Sequence, residues 1–193
     1  MPIFGDPNAT RLIVGLAPAA HGANRTGRMF HGDRSGDWLF RALHKASVAK
    51  LPYAHSIQDG QELYGALIAA VCHCAPPDNK PTPEEIGICT SRYLESLLFQ
   101  QGGPPLQHSR LTDRKVRAAR DCRWKSILCL GSIAWNNVHR LLGAKRTPFT
   151  HLVIDEIENG PKIVGSFHPS QQNTFTGKLT EPMLDAAVQA WLN

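Results

Sequence analysis

Residues 11–33 read RLIVGLAPAAHGANRTGRMFHGD, and the fold follows from the break inside this stretch. Leu12, Ile13 and Val14 make a short continuous apolar run, the pattern of a strand buried on both faces of a parallel sheet. At Gly15 the pattern stops and a long loop begins, carrying Pro18, Gly22, Gly27 and Gly32. Open α/β sheets bind ligands at the carboxyl ends of their strands, where such a loop lies. The loop also holds polar groups that apolar packing does not require: His21, Asn24, Arg25, Thr26, Arg28, His31 and Asp33. A second loop of the same character, residues 167–180 (FHPSQQNTFTGKLT), follows another apolar run near the far end of the chain. The two loops are expected to face each other across one cleft.

Between them the chain alternates strand and helix. Residues 35–45 carry apolar side chains at helical spacing, with Ser35 placed to cap and Asp37 in the first turn. The end of residues 63–74 (LYGALIAAVCHC) reads as a second buried strand. The prolines at 76, 77, 81 and 83 then impose a stiff, extended loop. Thr82 followed by Pro83, Glu84 and Glu85 starts a helix that runs to about residue 99. A break at 101–105 (QGGPP) precedes the most basic segment, where Arg110, Arg114 and Arg117 mark either a solvated helix face or a phosphate-tracking surface. Residues 126–131 form a third strand and 133–142 a helix. An edge strand at 151–155 and a core strand at 162–167 flank a turn at Asn159-Gly160, and a helix at 181–192 closes the chain. The expected fold is α/β: one domain over residues 1–193, a three-layer α/β/α sandwich around a mainly parallel four-stranded sheet.

The 42% hydrophobic and 19% charged composition is that of a folded chain, and a net charge of +5 mildly favours a polyanionic partner. No apolar run approaches the roughly 20 residues that span a bilayer. The start lacks the layout of a secretion signal, so a cytoplasmic protein with no membrane partner, monomeric by default, is expected. Five cysteines in a chain of this length do not make a disulfide framework. Cys129 lies in an apolar run and reads as core, whereas Cys72, Cys74 and Cys89 flank the proline-rich loop, where a metal role is open.

His168 ends an apolar run and is pinned by Pro169. A neutral imidazole so placed can donate to an oxygen that gains charge during reaction; the alternative is a histidine satisfied by backbone. Ser170, Asn173, Thr174, Thr176 and Gly177 suit phosphate contacts, or else ordinary turn chemistry. Leu179, in a polar run, reads as an exposed wedge between base steps or as a buried leucine. Phe30, among glycines and charges, is a candidate stacking platform, and His21, Asn24 and Asp33 are candidates to orient water or touch a base. No G-x-G-x-x-G, phosphate-loop or zinc-deaminase pattern is present in the sequence.

Residues 15–39 (GLAPAAHGANRTGRMFHGDRSGDWL), 74–85 (CAPPDNKPTPEE) and 168–180 (HPSQQNTFTGKLT) strongly resemble motifs of the uracil-DNA glycosylase superfamily, nearest to its family five (B-type). The resemblance implies a monofunctional DNA glycosylase of base excision repair. Its partner is damaged DNA, and it flips out a deaminated base, uracil or hypoxanthine, and hydrolyses the N-glycosidic bond. It further implies that His168 donates to the leaving base and that Phe30 stacks on it. Ala17, Pro18, His21 and Asn79 would line the base pocket, and Arg25, Ser170, Asn173, Thr176, Gly177 and Leu179 would meet DNA. Ala17 stands where better-known members carry a water-activating acid or amide, so Asn24 is the first substitute and Asp33 the second. An alternative is a catalytically silent abasic-site or single-strand binder on the same fold. The family also implies a 4Fe-4S cluster, with Cys74 and Cys89 as two of its four ligands. The upstream C-x-x-C pair is not in this sequence, so the N-terminal cluster-binding segment is expected to be missing or the cluster lost.

Overall fold

The computed structural model describes residues 1–99 and 121–193. The break at 101–105 and the arginines at 110, 114 and 117 lie outside the described residues. Strands β1 (Phe4–Gly5), β2 (Arg11–Gly15), β3 (Ala66–Ala70), β4 (Ser126–Leu130), β5 (Ile154–Glu156) and β6 (Lys162–Ser166) form one sheet in the order β1-β3-β2-β4-β6-β5. The four inner strands are parallel, with Ile13 level with Ile68 on one side and Leu128 on the other, and Leu128 level with Val164. β1 and β5 join antiparallel at the edges. The expected four-stranded sheet is thus the core of a six-stranded one. β1, only two residues long, carries no periodic signal from which a strand can be read.

Because successive strand residues point to opposite faces, the continuous apolar runs feed two cores. Ile13, Ile68, Leu128 and Val164 pack beneath helices α2 (Arg34–Lys45) and α7 (Glu181–Leu192), against Phe40, Leu43, Leu184 and Trp191. Leu12, Val14, Leu67, Ile127 and Ile163 meet the other layer. That layer is α3 (Pro83–Cys89), a π-helical turn at Thr90–Leu94, α4 (Glu95–Phe99) and α5 (Ser132–Leu142). This is the three-layer sandwich expected.

Two local readings change. The cap of α2 is Asp33, not Ser35: its backbone is extended, and Oδ1 accepts the Gly36 N–H at 3.0 Å. The helix from Pro83 starts on the expected capping box of Thr82 and Glu85. Its π-helical turn falls where the buried Thr90 hydroxyl bonds back to the Ile86 carbonyl and accepts from Arg140. The proline-rich loop is extended, as expected, apart from one 3₁₀ turn at Pro77–Asn79. Among the described residues no helix is long and apolar enough to cross a membrane.

Candidate active site

The loop after β2 folds back on its own strand. α1 (Ala23–Thr26) forms a single turn, and Phe30 then takes a left-handed backbone, φ 52°. Two glycines accept this shape. A Cβ on Gly15 would stand 2.7 Å from Phe30 Cζ, and one on Gly36 would collide with the Phe30 carbonyl. The ring of Phe30 therefore lies directly over the end of β2, and a side chain at either glycine would displace it.

The same loop is clamped from behind. The Arg28 side chain is 5% exposed and pairs with Asp59 at 2.9 Å, while also donating to the Ser56 carbonyl. Burial pushes the Asp59 carboxyl up, but the Gln61 N–H and the Arg28 guanidinium outweigh it and hold the carboxyl below its usual range. Asn79 Oδ1 accepts the Ala20 N–H at 3.2 Å, tying the proline-rich loop to the first loop.

From the other side comes β6, which ends at Ser166, followed by Phe167 and His168. The His168 ring stacks on Phe30, centroids 5.9 Å apart and planes 29° apart. The two loops do meet, and both rings remain partly open to solvent. Enclosure of the imidazole lowers the His168 pKa to about 4, so it is neutral at pH 7. α6 (Gln171–Phe175) follows directly, capped by the Ser170 hydroxyl, which accepts the Asn173 N–H at 3.4 Å.

The remaining residues named from sequence divide by direction. Asn24, His21 and Arg25 stand exposed around α1, with Arg25 Nε bonded to the His21 carbonyl at 3.0 Å. Ala17 is half-buried beneath the loop and Pro18 is buried. Asp33 commits one oxygen to capping α2, and burial raises its carboxyl above the usual range. Asn173 is turned inward, its side-chain amide donating to the His168 carbonyl at 2.8 Å. The Thr176 hydroxyl bonds back to the Gln172 carbonyl at 2.8 Å, and Gly177, φ 70°, is exposed at the helix end.

Leu179 is the clear correction. It is completely buried in the core shared by α2 and α7, not an exposed wedge. Its backbone N–H bonds the Asn173 carbonyl at 3.0 Å, which pulls the residue under α6 instead of out from it. The exposed apolar side chain of this loop is Phe175, with the Arg34 guanidinium 4.5 Å from its ring centroid. That pair, which links α6 to the start of α2, was missed from sequence, although an aromatic in the polar run QQNTFTG was its signal.

The cysteines approach one another without forming a metal site: the Cys72 thiol hydrogen-bonds that of Cys89 and interacts with Cys74. Cys74 is exposed, Cys89 is half-buried on α3, and Cys72 is buried with its thiol raised to about 12, chiefly by desolvation. Among the described residues no group of three or more His, Cys, Asp or Glu is placed to hold a metal ion. A 4Fe-4S cluster needs four converging sulfurs, so these residues by themselves do not fit one.

The chain can now be set beside known proteins. The family model of the uracil DNA glycosylase superfamily matches residues 2–106, the part that carries the first loop and the proline-rich loop. The chain belongs to the uracil-DNA glycosylase superfamily. Within that superfamily it is similar to the type-5 uracil-DNA glycosylase of Mycobacterium leprae, 46% identical over 188 residues, which are 96% of this chain and 73% of the relative. The type-5 enzyme of Mycobacterium bovis is 44% identical over 96% of this chain and 63% of its own length. That of Pyrobaculum aerophilum is 40% identical over 93% of this chain and 70% of its own length. The superfamily's α/β architecture is the one described above, and these type-5 relatives are all longer than this chain.

Proposed function

We propose that this protein is a DNA repair glycosylase that removes uracil from DNA by hydrolysing the N-glycosidic bond, leaving an abasic site. The observation that carries this reading is the contact between Phe30 and His168. It brings a stacking surface and a neutral hydrogen-bond donor from opposite ends of the chain to one place. A base must leave the duplex for water to reach its glycosidic carbon, at a cost of a few kcal/mol. The flat face of Phe30 receives the extruded ring. As the bond breaks, electrons flow onto the base, and its carbonyl oxygen gains negative charge. The neutral His168 N–H donates to that oxygen from a half-enclosed position, where a fixed donor is worth more than in open water.

Ala17 takes no proton, so the mechanism rests on stabilising the leaving base more than on a general base. The attacking water falls to Asn24, whose side chain is exposed, because Asp33 spends one oxygen on its helix cap. A site that grips the leaving group without an activated water suits several deaminated bases, hypoxanthine included. Ala17 is also what favours the second reading, a silent binder of abasic or single-stranded DNA.

One assay separates the two. Purified protein should release uracil from a uracil-containing duplex, and His168→Ala should slow release roughly 10²–10³-fold while DNA binding persists. Tight retention of the oligonucleotide with no abasic product at any pH would give the protein to the binder reading.

A further inference from the structure

The second loop holds five small polar side chains, and the structure assigns one of them a task that its composition does not suggest. We infer that Asn173 is a positioning residue for His168, its amide fixing the backbone that aims the imidazole, and that it is not a phosphate contact. The inference rests on His168 being the leaving-group donor.

Four bonds meet at Asn173, one of them from the Thr176 hydroxyl to its carbonyl at 3.4 Å. Nδ2 donates to the His168 carbonyl at 2.8 Å, the backbone N–H reaches the Ser170 hydroxyl at 3.4 Å, and the carbonyl accepts from Leu179 at 3.0 Å. Leu179 is wholly buried, so the bond from it roots Asn173 in the core. A side chain so engaged has one of its two amide hydrogens committed to protein instead of to a backbone phosphate outside.

The bond to His168 controls a soft torsion. The preceding peptide is already held: the Phe167 N–H donates to His151 Nδ1 at 3.4 Å, and the Phe167 carbonyl accepts from the Ser166 hydroxyl at 3.0 Å. Pro169 fixes its own φ but offers no N–H. Pro169 confines rotation about the Cα–C bond of His168 to the extended range, and within that range the rotation still swings the carbonyl and, with it, the path of the loop. The Asn173 amide captures that carbonyl. Gly131, where a Cβ would lie 3.6 Å from His168 Cβ, bounds the residue from below. Losing the amide lets the ring drift, and a misplacement of about 1 Å costs on the order of 10²-fold in rate.

The decisive variant is Asn173→Asp, which keeps the shape and replaces the donor by an oxygen facing the His168 carbonyl. Its kcat for uracil release should fall roughly 10- to 100-fold, with KM and the salt dependence of binding unchanged. In a His168→Ala background the same substitution should have no further effect. Independently of any turnover, ¹⁵N-histidine NMR of Asn173→Ser, which adds no charge beside the ring, should show the His168 titration moving up from about 4 toward the ordinary value, as the loosened ring gains water. Turnover by Asn173→Ser is measured in the same way should the aspartate variant not fold. A raised KM with a shallower salt dependence at unchanged kcat would make Asn173 a phosphate contact. A kcat loss that persists without His168, or an unmoved His168 titration, would also overturn the inference. If the wild type releases no base, the functional reading fails, and the NMR comparison still decides the role of Asn173.

Discussion

The two loops that meet at Phe30 and His168 have similar compositions and are held differently: both carry local bonds, but the first adds side-chain bonds to chain more than 30 residues away. The first, residues 16–33, takes its shape from distant chain: Arg28 reaches Asp59, 31 residues on, and Ala20 reaches Asn79, 59 residues on. Its glycines serve contacts as well, since Gly36 leaves room for the Phe30 carbonyl and Gly15 for its ring. The second, residues 167–180, ties itself together within short sequence separations, through Ser170 to Asn173, Asn173 to His168 and Thr176 to Gln172. A loop of the first kind exists only once the sheet has brought its partners near. A loop of the second kind is largely specified by its own residues, and needs the fold mainly for an anchor. Phe30 sits on the fold-dependent loop and His168 on the self-braced one.

That contrast can be broken at several points. The largest effect is expected from Arg28→Ala, which removes a buried guanidinium and leaves the Asp59 carboxylate to its backbone donors alone, and should cost about 3–5 kcal/mol in urea unfolding. A loss below about 1 kcal/mol, the scale of an exposed pair, would mean the first loop does not depend on its distant clamp. Leu179→Ala removes the core anchor of the second loop and should cost about 2–5 kcal/mol through the cavity it leaves. Its effect on excision should be equal for paired and single-stranded substrates. A selective loss on paired DNA would restore the wedge role that burial argues against.

A smaller effect concerns pH. In the unfolded chain His168 takes up a proton near 6.5, but in the folded protein it resists until about 4. Between those values the unfolded state binds more protons, so stability contributed by the neutral ring is full above 6.5 and is lost as pH falls to about 4. Burial lowers the pKa of His31, His73 and His151 in the same direction. The melting temperature should therefore drop over this window, and His168→Ala should flatten part of the slope; identical slopes would contradict a buried neutral ring. The smallest effect is expected from Phe175→Ala. Its contact with Arg34 joins the second loop to the start of α2 at the exposed surface and should contribute about 0.5–1 kcal/mol in a double-mutant cycle with Arg34→Ala.

The apolar runs at 12–14, 66–70, 127–130 and 163–164 and the helix starting after Thr82 were legible because strand and helix patterns are local. The family was legible for a related reason: its motifs are contiguous strings. The edge strand Phe4–Gly5 was not, since two residues have no period and pair only because Ile68 lies beside them. Asp33 displaced Ser35 as the cap because its extended backbone, set by the turn at Phe30, aims its carboxylate at Gly36.

The same division runs through the site. By itself the sequence determined which residue types stand in the two loops and that the loops end parallel strands, since both facts are written in consecutive residues. Tertiary structure alone decided where those side chains point: Asn173 inward to His168, Leu179 into the core, Arg28 onto Asp59, Phe175 out to Arg34. A polar or apolar loop residue turns toward whichever partner the completed fold supplies, and most of those partners lie far along the chain or on its other face.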